Sequence, residues 1–172
     1  DAFTPLAKGM NSEFANQNAY DSIQVHGGSG FMMEYKCQQL YRDARITSIY
    51  EGTTQLQTVA AIRYVTNGTY MSVIRDYEAI PVAEEYEGYM NRIKEMASKL
   101  EAVTNAVKDA NDQELLDFCA RKLYEMTAYT IMCHLLLQDT QKAPEMFAAS
   151  LNVFVNHAES EVEKHFNYIR KM

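Results

Sequence analysis

Residues 21–57 read DSIQVHGGSGFMMEYKCQQLYRDARITSIYEGTTQLQ. Two breaks interrupt a helical pattern here, one at Gly27-Gly28 and one at Ile49 to Gly52. Glycine supplies the backbone freedom that ends a helix. A first helix therefore starts at Thr4-Pro5, with threonine as cap and proline at the first helical position, and runs to about Val25. Residues 27–33 form a loop. A second helix over roughly 34–48 places Cys37, Leu40, Tyr41 and Ala44 on one face. Thr53 caps a third helix that carries Leu56, Val59, Ala60 and Arg63. Between these last two helices lies Glu51, flanked by Tyr50 and Gly52, although a glutamate usually belongs on a solvated helix face.

Working outward, Thr66-Asn67-Gly68 is a stop signal and marks a boundary between a unit at 1–68 and another at 69–172. Beyond it Tyr86, Met90, Ile93, Ala97, Leu100 and Val107 recur mostly every three or four residues. Leu116, Cys119, Leu123, Met126, Thr130, Cys133 and Leu137 do the same, as do Leu151, Phe154, Ala158, Val162, Phe166 and Ile169. That spacing predicts apolar stripes of helices packed at shallow angles in an antiparallel bundle. Pro81 separates a short leading helix from a long one. Asn111 with Glu114 reads as a capping box, and Pro144 suits the first turn of the last helix. No stretch alternates like a strand, so the fold class is all-α.

Composition narrows the function. The chain has 172 residues, 47% hydrophobic and 23% charged, enough for a packed core and against disorder. The formal net charge is -7, and most of it lies in residues 70–172, with eleven Lys/Arg against seventeen Asp/Glu. That balance disfavours a nucleic-acid backbone or an anionic membrane surface, both of which need local Lys/Arg excess. No apolar run approaches the ~20 residues a membrane span requires, and no signal peptide is visible. Cys37, Cys119 and Cys133 lack metal-ligand spacing and suggest a reducing compartment without a disulfide framework. The start at Asp1 instead of Met reads as a piece of a longer chain.

Five features are weighed for chemistry. GGSG at 27–30 lets a backbone approach a phosphate closely, but it ends a helix instead of opening one, so spacing alone favours a helix stop followed by a tight turn. Arg42 and Arg45 suit a phosphate contact or pairing with Asp43. His26, His134, His157 and His165 show no ligand-like clustering, and no metal site is expected. Met90, Met126, Met132 and Met146 read as core packing. Glu51 stands apart: a helix start favours its ionised form, an apolar pocket would favour the neutral one, and a carboxylate in that competition suits a general base, although spacing alone favours an ordinary surface-loop glutamate.

The blocks Gln24-Val25-His26-Gly27-Gly28-Ser29-Gly30-Phe31, Tyr41-Arg42-Asp43-Ala44-Arg45-Ile46 and Ile49-Tyr50-Glu51-Gly52-Thr53 closely resemble the C-terminal signature of acyl-CoA dehydrogenases, in family order and spacing, over roughly residues 4–66. The resemblance implies that Glu51 removes the α-proton of an acyl thioester while the β-hydrogen leaves as hydride to a bound FAD, giving a trans-2-enoyl-CoA. It implies that Gln24, Gly27 and Gly28 meet the ADP part of a flavin held mainly by a neighbouring subunit. Thr53 and Gln55 match positions against the flavin, and Gly52 and Arg63 match positions near the acyl-CoA substrate. Arg42 and Asp43 match a structural motif.

The family's N-terminal helical domain, its β-domain and the first half of its C-terminal bundle have no counterpart in this sequence. The resemblance therefore implies a C-terminal part of a longer enzyme, inactive alone. Residues 69–172 resemble the additional helical domain of a long-tailed subgroup and lack the basic face that would favour a membrane surface. The implied setting is fatty-acid β-oxidation by a homo-oligomer, dimer or tetramer, in a bacterial cytoplasm or a mitochondrial matrix, with electron-transfer flavoprotein as acceptor. Two rival readings remain at this level: an acyl-CoA oxidase of the same superfamily, and a non-catalytic helical oligomerisation module.

Overall fold

A computed structural model describes residues 1–172, all helices and connections with no strand. The chain divides into two compact units, residues 1–61 and 62–172.

In the first unit, α1 (Phe3–His26) packs against α3 (Lys36–Thr47), with the single turn α2 (Gly28–Phe31) touching both. The first unit also holds the start of α4 (Thr54–Thr66). Leu6, Gly9 and Met10 are buried at helical spacing on the N-terminal half of α1. Asn16 Nδ2 donates to the Ala44 carbonyl at 3.1 Å and ties the middle of α1 to α3. Further along, apolar side chains face outward: Val25 is 85% exposed, Phe31 78% and Met33 86%. The first unit thus carries a broad apolar surface that nothing else in it covers.

Three expectations change here. Thr4 is not a cap: α1 starts at Phe3, after Ala2, whose φ of -61° already lies in the helical region. The segment 27–33 is not wholly a loop, because Gly27 alone makes the break, at φ 61° and ψ -144°, and helix resumes at Gly28. Of the expected α3 face only Cys37 is buried, whereas Leu40 and Tyr41 are exposed. In α4 the buried positions are Thr54, Thr58, Ala61 and Val65, and Leu56 and Val59 point outward. Thr53 does cap α4, its Oγ1 accepting from the Leu56 N–H at 3.3 Å.

The second unit comprises α5 (Thr69–Glu78), a 3-10 turn (Glu84–Tyr86), α6 (Glu87–Asp109), α7 (Gln113–Lys142) and α8 (Pro144–Arg170). The three long helices pack on one another, and α5 packs on α6 and α7. Register follows from cross-helix pairs. Arg92 meets Glu159 and Lys99 meets Glu163, so α6 and α8 run parallel. Glu125 meets His165 and Tyr129 meets His157, so α7 runs against α8. Between them Ile93, Ala97, Cys119, Leu123, Met126, Cys133, Val155, Ala158 and Val162 are fully buried, the periodic stripe expected of a bundle. Each large side chain so removed from water contributes about 1.5–3 kcal/mol.

The α6–α7 connection differs from the expected capping box. Asp112 is the cap, its Oδ1 accepting from the Leu115 N–H at 3.1 Å. Asn111 takes the left-handed conformation at φ 49°, which its short amide side chain tolerates. The turn therefore closes one residue later than expected.

Candidate functional site

The turn between α3 and α4 is built from both sides. On the α3 side the N–H groups of Ile49 and Tyr50 both donate to the Ile46 carbonyl, at 2.9 and 3.0 Å. On the α4 side the Thr54 N–H donates to the Ser48 carbonyl at 3.2 Å, and Thr54 Oγ1 donates to Glu13 Oε1 on α1 at 2.6 Å. Arg45 Nη1 donates to Ser48 Oγ. Between these fixed ends the chain reverses through two left-handed residues, Glu51 at φ 51° and Gly52 at φ 92°. The Glu51 carboxylate is exposed and makes no hydrogen bond or ion pair within the chain.

Gly52 is the residue this reversal requires. A Cβ there would lie 2.8 Å from Gln57 Nε2, and the φ itself strains any L side chain. Its carbonyl accepts from Lys8 Nζ at 2.5 Å and, more weakly, from Gln57 Nε2 at 3.4 Å. Sequence reasoning missed Lys8, Glu13 and Gln57. Only Gln57 left a local signal, five residues past Gly52; Lys8 lies 44 residues before Gly52 and Glu13 41 before Thr54, and both are brought in by packing of α1.

Thr53 and Gln55 line a polar cleft of about 500 Å³ with Glu13, Asn16, Tyr20 and Arg45. Gln55 is exposed, and its amide has no partner within the chain. Gln24, Gly27 and Gly28 form a second locus, at the corner between α1 and α2. It lies sixteen residues along α1 from Lys8, about 24 Å at the helical rise. The cleft's lining on α1 ends at Tyr20, and neither Gln24 nor the two glycines line it. At Gly27 the backbone demands glycine; at Gly28 φ is ordinary and an added Cβ would meet nothing within 4 Å. Gly28 is thus open to an outside group, and Gln24 beside it is exposed with an unpartnered amide. His26 Nδ1 lies 2.8 Å from the Ser22 carbonyl.

Arg63 belongs to the second unit, where its guanidinium lies 5.0 Å from the Tyr64 ring centroid. No group of His, Cys, Asp and Glu is arranged to hold a metal. No helix is long and apolar enough to cross a membrane.

Two family models divide the chain. "Acyl-CoA dehydrogenase, C-terminal domain" matches residues 1–65, and "Acyl-CoA dehydrogenase C terminal" matches residues 66–172. The chain belongs to the acyl-CoA dehydrogenase family. Among its relatives, an acyl-CoA dehydrogenase of Bacillus subtilis (strain 168) is 41% identical over 64 residues, covering 37% of this chain and 17% of that protein. The caffeyl-CoA reductase-Etf complex subunit CarC of Acetobacterium woodii is 46% identical over 52 residues, covering 30% and 14%. The chain thus spans under a fifth of the curated relatives it matches. A crystal structure of an acyl-CoA dehydrogenase family protein from Porphyromonas gingivalis matches with 37% identity and a TM-score of 0.62, over 66% of this chain and 97% of that one. An FAD-complexed acyl-CoA dehydrogenase from Bacillus anthracis matches in fold at 20% identity and a TM-score of 0.78, over 96% of this chain and 32% of that one.

Proposed function

We propose that the chain is the C-terminal part of a flavin-dependent acyl-CoA dehydrogenase, with Glu51 as the base that removes the α-proton of an acyl-CoA. On this reading residues 1–68 are the second half of the family's C-terminal bundle and 69–172 an additional helical domain. The observation that carries it is the Glu51 carboxylate itself: unpaired, exposed, and set on a left-handed turn whose two ends are bonded to α1 and α3. A carboxylate with a structural job would have a partner; this one is left free for a group from outside.

FAD, when bound, supplies the acceptor for the β-hydride, so that loss of the proton to Glu51 and of the hydride leaves a trans-2,3 double bond. The residues present fit such a cofactor. Gly28 offers an open backbone, and Gln24 and Gln55 offer unpartnered amides. Thr53, whose oxygen already accepts the cap bond, keeps its O–H to donate. Gly52 and Arg63 belong to the substrate side. On this reading the glycine corner of one copy, Gln24 to Gly28, serves the flavin of another copy, and the enzyme is a homo-oligomer.

The name of CarC, a subunit of an Etf complex, favours electron-transfer flavoprotein over oxygen as the redox partner. The fragment by itself is expected to be inactive. The test is anaerobic mixing of the flavin-loaded enzyme that carries this chain with a panel of saturated acyl-CoAs, alongside Glu51→Gln. Flavin bleaching that the variant loses while retaining flavin supports the reading; equal bleaching in the variant sinks it.

A further inference from the structure

Glu51 and Asn111 are the two non-glycine residues with positive φ. For a glutamate this conformation is unfavourable, because Cβ crowds the following carbonyl oxygen, and it persists only where the surroundings over-determine it. The backbone bonds on either side hold Tyr50 and Thr54 but not Gly52, whose carbonyl is held by side chains alone. The short bond comes from Lys8. The same ammonium lies 5.9 Å from the centroid of the Tyr50 ring. Lys8 therefore engages both neighbours of Glu51 while forming no ion pair with Glu51 itself. Immobilising a lysine gives up rotamer entropy, and a charge-assisted bond to a partly buried carbonyl is what offsets it.

We infer that Lys8 is a positioning residue for proton transfer: by clamping the Gly52 carbonyl and the Tyr50 ring it holds Glu51 in its left-handed conformation and sets where the carboxylate points. This rests on Glu51 being the base. A neutral side chain at position 8 leaves the Gly52 and Glu51 carbonyls to the long bonds from Gln57 Nε2, both 3.4 Å, and Glu51 relaxes toward an ordinary negative φ, carrying its carboxylate off line.

The decisive variant is Lys8→Met, which keeps the stem and removes the ammonium. In the flavin-loaded enzyme that carries this chain, flavin reduction by acyl-CoA slows at least tenfold with KM changed less than twofold. The isotope effect with α-deuterated substrate rises, and Lys8→Arg recovers part of the rate. In the 172-residue chain without flavin, the amide of Thr54, which closes the turn onto the Ser48 carbonyl, exchanges about tenfold faster in Lys8→Met, while those in the middle of α3 do not change. A Lys8 that merely packs α1 would alter melting temperature and leave the isotope effect alone. An unchanged rate, isotope effect and local exchange overturn the proposal. Should Lys8→Met lose its flavin, Lys8→Gln is judged by the same measures. Glu51→Gln separates the two levels: if it still reduces flavin the base assignment fails, and if it does not while Lys8→Met behaves as wild type, only the positioning role fails.

Discussion

Thr54 Oγ1 donates to Glu13 Oε1 at 2.6 Å, joining the first turn of α4 to α1 across 41 residues of chain. Thr54 is buried and Glu13 half-buried, so the bond is shielded and its acceptor is a carboxylate. This bond fixes where α4 begins and hence where the Glu51 turn ends. Thr54→Val, equal in shape, is expected to cost about 1.5–3 kcal/mol by leaving the carboxylate short of a donor. Chemical denaturation of the two proteins measures it.

Glu51→Gln is expected to leave stability within about 0.5 kcal/mol of wild type, because the carboxylate has no partner in the chain to lose. Denaturation midpoints that coincide, together with the lost flavin chemistry, would show that the residue acts on something outside the chain. A large destabilisation would reveal a structural role instead.

The two adjacent glycines respond differently to alanine. Gly27→Ala forces a Cβ onto φ 61° and is expected to destabilise by about 1–2 kcal/mol. Gly28→Ala meets nothing in the chain, so its melting temperature stays at or slightly above wild type while the affinity of the enzyme for flavin falls. Thermal scans and flavin titration of both variants check the contrast.

His134 on α7 is fully buried, its two ring nitrogens without hydrogen-bond partners and its ring 5.8 Å from that of Tyr77. Burial, helped by the charge of Lys94, brings its pKa down from 6.5 to about 4. The unfolded chain therefore takes up the proton first as pH falls. This contribution to stability is complete above about pH 6.5, shrinks between 6.5 and 4, and levels off below. Its full size is about 3 kcal/mol. His134→Phe should flatten that part of the stability–pH curve, read as the difference between variant and wild type.

The α6–α7 turn separates a cap from a conformation. Asp112→Ala removes the bond to the Leu115 N–H and is expected to cost about 1 kcal/mol. Asn111→Gly, at φ 49°, costs nothing or stabilises slightly, since glycine enters the left-handed region freely. Denaturant midpoints of the two variants should fall on opposite sides of wild type or, for glycine, on it.

The features legible without coordinates are those that a few neighbouring residues decide. The three- and four-residue spacing from Met90 to Val107 and from Cys119 to Leu137 produces α6 and α7 wherever those helices pack, because the period is a property of the helix itself. Gly27 ends α1, Thr53 caps α4 and Pro144 opens α8 for equally local reasons. The carboxylate in the 49–52 turn was visible for the same reason, as an exception to the helical pattern around it.

Other features depended on which surfaces meet. Nothing local says that α4 buries Thr54, Thr58 and Ala61 while turning Leu56 and Val59 outward, because a helix with apolar residues on two sides has no intrinsic inside. Nothing near Glu51 announces Lys8 or Glu13, which reach the turn only because α1 lies against it. The position of the carboxylate in the chain was a property of the sequence. Its left-handed geometry, its lack of a partner and the clamp around it arise from tertiary packing, since hydrogen bonds across forty residues exist only once the helices that carry them have been brought together.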